Sequence, residues 1–141
     1  MELTKQSVGI DVSKDSLEVK FKEKSAKGLK IKGSSKFDNT SNGFINLLEW
    51  CNKRETVQNV VYVLEATGVY HENVLYFLFD HNKMVSLELP QRVKYFAKSK
   101  GVKTKNDLID NSGVLSDYGL ERELKAWQPR RKNLDFKKRE C

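Results

Sequence analysis

Along Ser7–Ser13 the chain alternates. Val8, Ile10 and Val12 are aliphatic, and Gly9, Asp11 and Ser13 between them are small or polar. A period of two predicts a β-strand with one face in the core, and it sends Asp11 to the face opposite the aliphatics. After a turn at Lys14-Asp15 the period returns, with Leu17, Val19 and Phe21 set against Ser16, Glu18, Lys20 and Lys22 in a second strand with one wet face. Glu23–Gly28 is polar and reads as a turn. Leu29 and Ile31 then lead into a third strand that reaches Phe37, with Gly33 as its weak point. Short strands joined by tight polar turns predict an antiparallel meander.

The period then changes. Asn39, Thr40 or Ser41 can cap a helix. Phe44, Leu47, Leu48 and Cys51 follow at the spacing of one buried helical face, with Trp50 at its edge and Arg54–Gln58 as the exit. Val60–Leu64 is a continuous apolar run, the pattern of a strand covered on both faces and parallel to its neighbour, so the preceding helix is its crossover. Glu65 stands at the carboxyl end of that strand, where open α/β sheets bind ligands. Val69–His81 predicts a second helix, Met84–Leu89 a strand closed by Pro90, and Gln91–Ser99 a short helix with Val93, Phe96 and Ala97 inward. Lys98–Lys105 reads as a basic, flexible loop. A last helix is expected from about Asn106 to Glu121, packing through Leu108, Leu115 and Tyr118.

Composition narrows the class. The chain has 141 residues, 38% hydrophobic and 32% charged, which suits one folded domain with its own core. No apolar run approaches the ~20 residues needed to span a bilayer, and Met1–Ser7 is too polar for a cleavable leader, so the expected location is the cytoplasm with no membrane partner. Cys51 and Cys141 are the 2 cysteines and can build neither a disulfide framework nor a zinc site. The net charge of +7 favours polyanionic partners, nucleic acid first. Much of that charge is concentrated in Lys94, Lys98, Lys100, Lys103 and Lys105, interleaved with Tyr95 and Phe96, and in clusters between Arg130 and Arg139. The first group is either a phosphate-binding track or a solvated loop.

The acids carry the candidate chemistry. A carboxylate inside an apolar strand needs a partner, so Asp11 implies a metal ion, a salt bridge or a backbone hydrogen bond. Asp107 and Asp110, three apart at the start of the expected last helix, project from one face. They are either first-turn acids favoured by the helix N-terminus or part of a cation site. Asp11, Glu65, Asp107 and Asp110 form an oxygen-only set with no His or Cys beside it, which suits Mg²⁺ or Mn²⁺. A pair of such ions can polarise both the attacking and the leaving oxygen of a phosphodiester.

The segments Val8–Lys14, Leu64–Tyr70 and Lys105–Asp110 resemble the N-terminal domain of the DEDD-type insertion-sequence transposases, the RNA-guided bridge recombinases with a RuvC-like domain. Leu115–Gly119 and Trp127–Pro129 fit the same pattern, so the resemblance runs from Val8 to Pro129. It implies an α/β, ribonuclease-H-like fold: an antiparallel three-strand meander, then parallel strands, flanked by helices. It also implies that Asp11, Glu65, Asp107 and Asp110 are the catalytic tetrad and hold Mg²⁺ or Mn²⁺ for strand cleavage and transfer on DNA. Lys98, Lys100, Lys103 and Lys105 would contact nucleic acid, a structured guide RNA would be a second partner, and the full-length protein would be a homo-oligomer. Residues 1–124 would be the nuclease-type domain. Residues 125–141 would begin a linker and coiled-coil segment before a C-terminal domain bearing a serine nucleophile. The family's usual Lys-Thr-Asp-x-x-Asp-Ala departs here to Lys105-Asn106-Asp107-Leu108-Ile109-Asp110-Asn111, keeping both acids and losing the flanking Thr and Ala. A non-catalytic nucleic-acid-binding and assembly module of the same fold is the alternative. An actin-like phosphotransferase half would need a glycine-rich turn after Asp11, and Val12-Ser13-Lys14-Asp15 has no glycine.

Overall fold

In the computed structural model, which describes residues 4–100 and 110–129, strand β1 (Lys5–Val12) runs through the middle of a five-stranded sheet. β2 (Ser16–Ser25) pairs antiparallel with β1, and β3 (Gly28–Asp38) pairs antiparallel with β2 and forms one edge. On the other side β4 (Val60–Glu65) lies parallel to β1, and β5 (Met84–Glu88) lies parallel to β4. The order is therefore β3-β2-β1-β4-β5, the expected meander followed by parallel strands.

Helices cover both faces. α1 (Ser41–Asn52) and α2 (Glu72–Asp80) bury Phe44, Leu47, Val74 and Leu78 against Val8, Ile10, Tyr62 and Leu64. α3 (Pro90–Ser99) and α4 (Asn111–Glu121) bury Val93, Phe96, Leu115 and Tyr118 against Val61 and Val63 on the opposite face. β4 is thus apolar on both sides because each side has its own helical layer. Among the described residues, no helix is long and apolar enough to cross a membrane.

Several boundaries differ from the sequence expectation. The turn expected at Glu23–Gly28 shrinks to Ala26-Lys27, because Lys24 pairs with Leu29 and Ser25 with Gly28. Gly28 closes it with φ +112°, a conformation open to glycine. α1 is capped by Thr40, whose side chain accepts from the Gly43 N–H at 3.1 Å. α2 starts at Glu72 rather than Val69, after Gly68 turns the chain at φ +67°. α3 starts at Pro90, where the missing N–H would have no helical partner anyway.

The main correction concerns β1. It is buried on both faces, since Ser7 and Gly9 are as fully covered as Val8 and Ile10. α4 lies directly on the face that the period marked as polar. Ser116 Oγ donates to the Ser7 carbonyl at 2.8 Å, and Gly119 rests against Ser7 and Val63. Small residues on strand and helix allow that approach, which hydrophobic periodicity does not register.

Beyond α4 the chain crosses the β5 edge. The Trp127 N–H donates to the Val85 carbonyl at 2.6 Å, and its ring meets Tyr76 and Phe79 edge-on at 5.1 and 5.7 Å.

Candidate cation and nucleic-acid site

Parallel pairing fixes the first two acids. Ile10 of β1 is in register with Leu64 of β4, and both side chains join the α1–α2 core. The next residues, Asp11 and Glu65, therefore emerge side by side at the carboxyl end of the sheet, on the α4 face. Both are half-buried. Between them stands Asn111, the first residue of α4. Its Nδ2 donates to Asp11 Oδ1 at 3.2 Å and to Glu65 Oε1 at 3.1 Å.

Asp110 is adjacent. It is not inside a helix, as the sequence reading expected, but is the N-cap of α4. Its Oδ1 accepts from the Gly113 N–H at 3.1 Å and from the Ser112 hydroxyl at 2.9 Å. Its other oxygen takes the Lys20 ammonium. Lys20 comes from β2, opposite Gly9 in register, so it shares the face that carries Asp11.

The electrostatics follow from this arrangement. Burial pushes the Asp11 carboxyl above its ordinary range; the Asn111 hydrogen bond opposes that, and the charges of Glu18 and Asp110 add to the rise. Burial likewise raises Glu65, against the Asn111 bond and with help from the charge of Asp11. For Asp110, burial also pushes upward, but the Lys20 ammonium, the Gly113 N–H and the Ser112 hydroxyl outweigh it and hold the carboxyl low.

Of the expected tetrad, the structure brings Asp11 and Glu65 together on one amide and sets Asp110 close enough to act on Asp11. Asp107 lies outside the described residues, as do Lys103 and Lys105. Among the described residues, no group of three or more His, Cys, Asp or Glu side chains is arranged to hold a metal ion. Lys98 is exposed on the last turn of α3 and, with Lys94, Glu65 and Asn111, lines a cleft of about 310 Å³. Lys100 is exposed and donates to Glu121 at 2.8 Å. Phe96 is core and Tyr95 is exposed.

Sequence reasoning missed the roles of Asn111, Lys20 and Glu18. Asn111 was visible only as a departure from the family's Ala. Lys20 and Glu18 were visible as the wet face of β2, with no sign that this face reached the acids.

Residues 8–135 match the DEDD-type insertion-sequence transposase family, described as Transposase. The chain belongs to this family. The pilin gene-inverting proteins of Moraxella lacunata and Moraxella bovis are 29% and 28% identical over 132 residues. Those alignments cover 93% of this chain and 39% of each relative, so the chain spans about two fifths of their length. Among solved structures, RuvC of Thermus thermophilus aligns with a TM-score of 0.54 at 17% identity, covering 88% of this chain and 84% of that one. T. thermophilus RuvC in complex with a Holliday junction substrate aligns at 0.51 and 11% identity, covering 69% and 73%. At such identity the likeness speaks for the fold, which is RuvC-like and ribonuclease-H-like, as the mixed sheet requires.

Proposed function

We propose that this chain is the cation-dependent, carboxylate-site domain of a DNA transposase, acting on the DNA backbone and completed by a further domain that brings a serine nucleophile. The observation that carries the reading is the meeting of Asp11 and Glu65 on a single amide at the carboxyl ends of neighbouring parallel strands.

The donor set fits a hard divalent ion. It is all oxygen, and the two half-buried carboxylates are raised by burial and by neighbouring acids, so a cation among them relieves both. Asp11, Glu65, Asp107 and Asp110 are the residues that would hold Mg²⁺ or Mn²⁺. Such an ion, when bound, polarises a phosphodiester oxygen and neutralises charge developing on it. The protein's own groups orient the substrate. Lys94 and Lys98 flank the cleft beside Glu65 and are suited to phosphates on either side of the reacting one. Lys100, Lys103 and Lys105 extend that basic track toward Asp107 in sequence. Tyr95, exposed on α3, offers a ring for stacking on an unpaired base.

Residues 1–124 form the nuclease-type unit in this reading, and 125–141 lead toward the remainder of the protein. A structured guide RNA and homo-oligomeric assembly rest on the family resemblance alone. A branched DNA is the substrate class to try first, since one structural neighbour was solved with a Holliday junction.

The test is strand cleavage of branched DNA by a full-length protein containing this chain. Mg²⁺-dependent cleavage is expected, and Asp11→Asn and Glu65→Gln should abolish it without abolishing DNA binding. Cleavage that persists in both variants overturns the reading. The binding-module alternative is favoured by one observation, the capture of Asp110 by Lys20. DNA binding with no divalent-dependent cleavage under any condition would support it.

A further inference from the structure

Asn111 does between Asp11 and Glu65 what a cation would otherwise do. A side-chain amide nitrogen has two protons, and here one nitrogen is within hydrogen-bonding distance of a carboxylate on each of two adjacent strands. Asn111 is also tied to the start of α4. Its neighbour Asp110 caps that helix, and the next residues, Ser112 to Ser116, are packed onto β1. The amide therefore approaches the acids from a fixed direction.

A divalent ion and this amide cannot share the same oxygens in the present orientation. An N–H₂ group aimed at two carboxylates presents positive charge to any cation entering between them. An alanine at this position would offer no such group, so the competition comes from the Asn111 amide itself.

We infer that Asn111 is a neutral stand-in for the cation: it holds Asp11 and Glu65 together in the metal-free protein and must be displaced for a divalent ion to bind. The inference rests on reading these acids as a cation site. Asn111 is then a positioning residue that sets the threshold for loading. Because it begins α4, loading is coupled to a rearrangement at that helix start.

The test is titration of Mn²⁺ into the 141-residue chain, reading free Mn²⁺ by electron paramagnetic resonance. Two hydrogen bonds to charged acceptors are given up when the ion enters the wild type and none in Asn111→Ala, so the variant is expected to bind Mn²⁺ at least about tenfold more tightly. Asp11→Asn should abolish binding in either background. Equal or weaker binding by Asn111→Ala, with wild-type binding intact and dependent on Asp11, overturns the stand-in role while leaving the cation site in place. Binding in neither protein, or binding indifferent to Asp11, overturns the site reading and this inference together. Should Asn111→Ala fail to fold, the wild type gives a second measurement. The Asn111 side-chain amide protons are expected to be protected from solvent exchange in metal-free protein and to lose protection at saturating Mg²⁺. Protection unchanged at saturation overturns the proposal.

Discussion

Gly9 of β1 lies directly beneath Leu115 of α4: a Cβ at position 9 would stand 3.0 Å from the Leu115 Cβ and would collide with the Ser112 carbonyl oxygen and the Ser116 amide. Those colliding atoms are helix backbone and cannot rotate aside. Gly9→Ala should therefore lift α4 from the sheet, costing about 1–3 kcal/mol of stability as overpacking does. Because Asn111 begins the same helix, its reach to Asp11 and Glu65 should lengthen as well. A urea denaturation midpoint measures the first effect, and loss of exchange protection at the Asn111 side-chain amide measures the second. A wild-type midpoint would mean the close approach of strand and helix is not what holds α4.

The raised acids make the metal-free protein sensitive to pH in a defined direction. Burial and neighbouring charge let folded Asp11 bind its proton more tightly than it does in the unfolded chain. Its contribution to stability is therefore fully present below the unfolded carboxylate pKa, near ~3.9 for Asp, and is lost as pH rises through the higher folded value. Asp11→Asn removes the ionisable group and keeps an oxygen for Asn111. The variant should melt above the wild type at pH 7 in chelator-treated buffer, and the gap should close as pH falls below the ordinary carboxylate range. Thermal melts from pH 7 down to about pH 3, below the ordinary carboxylate range, read this directly, with a constant or inverted gap as the contrary result.

Asp110 carries the opposite sign. The Lys20 ammonium and the two cap donors hold its carboxyl low against the effect of burial, so its contribution is present above the unfolded pKa and lost as pH falls through the folded one. Lys20→Met should move the Asp110 titration upward in a carboxyl-detected NMR experiment. Asp110 is about half exposed, so the loss of stability near neutrality should stay under about 1 kcal/mol. An Asp110 titration unchanged by Lys20→Met would mean the pair is too loose to matter in solution.

What the sequence made legible, and what it hid, divides along physical lines. Alternation in β1 and β2 and the apolar run of β4 report burial on a strand's faces, so strand existence, pairing sense and the positions of Asp11 and Glu65 could be read from side-chain type alone. Periodicity is silent where packing is made by the absence of side chains. Ser7, Gly9, Ser112, Ser116 and Gly119 look polar or flexible in sequence, yet they let α4 pack so closely on β1 that a Cβ at position 9 or 119 would collide with the other element. The same silence misplaced the start of α4, because a hydrophobic pattern cannot tell a first-turn acid from the cap that precedes it; Asp110 is the cap. Asn111 and Lys20 were hidden for a different reason. Their roles depend on which distant acids the fold delivers to them, across 100 residues for Asp11 and Asn111 and 90 for Lys20 and Asp110.

The change in composition after Leu124 suggests where the folded unit gives way to its basic extension, yet Trp127 is packed on the domain. Its N–H pairs with the exposed edge of β5 through the Val85 carbonyl, and its ring sits edge-on to Tyr76 and Phe79 of α2. That face belongs to α1 and α2, whereas α4 lies on the other, so this short stretch straps the two helical layers together around the sheet edge. Removing it uncovers aromatic surface on α2 and unpairs an edge carbonyl. A chain ending at residue 124 should therefore be less stable than one ending at 129, by about 2–3 kcal/mol, below the ~3–5 kcal/mol of losing a fully packed Trp because this ring is only half-buried. Trp127→Ala in the full chain should reproduce most of that loss. Paired urea melts of the three proteins decide it: if the chain ending at 124 matches the one ending at 129, the strap contributes nothing to the fold and the basic extension begins before Trp127.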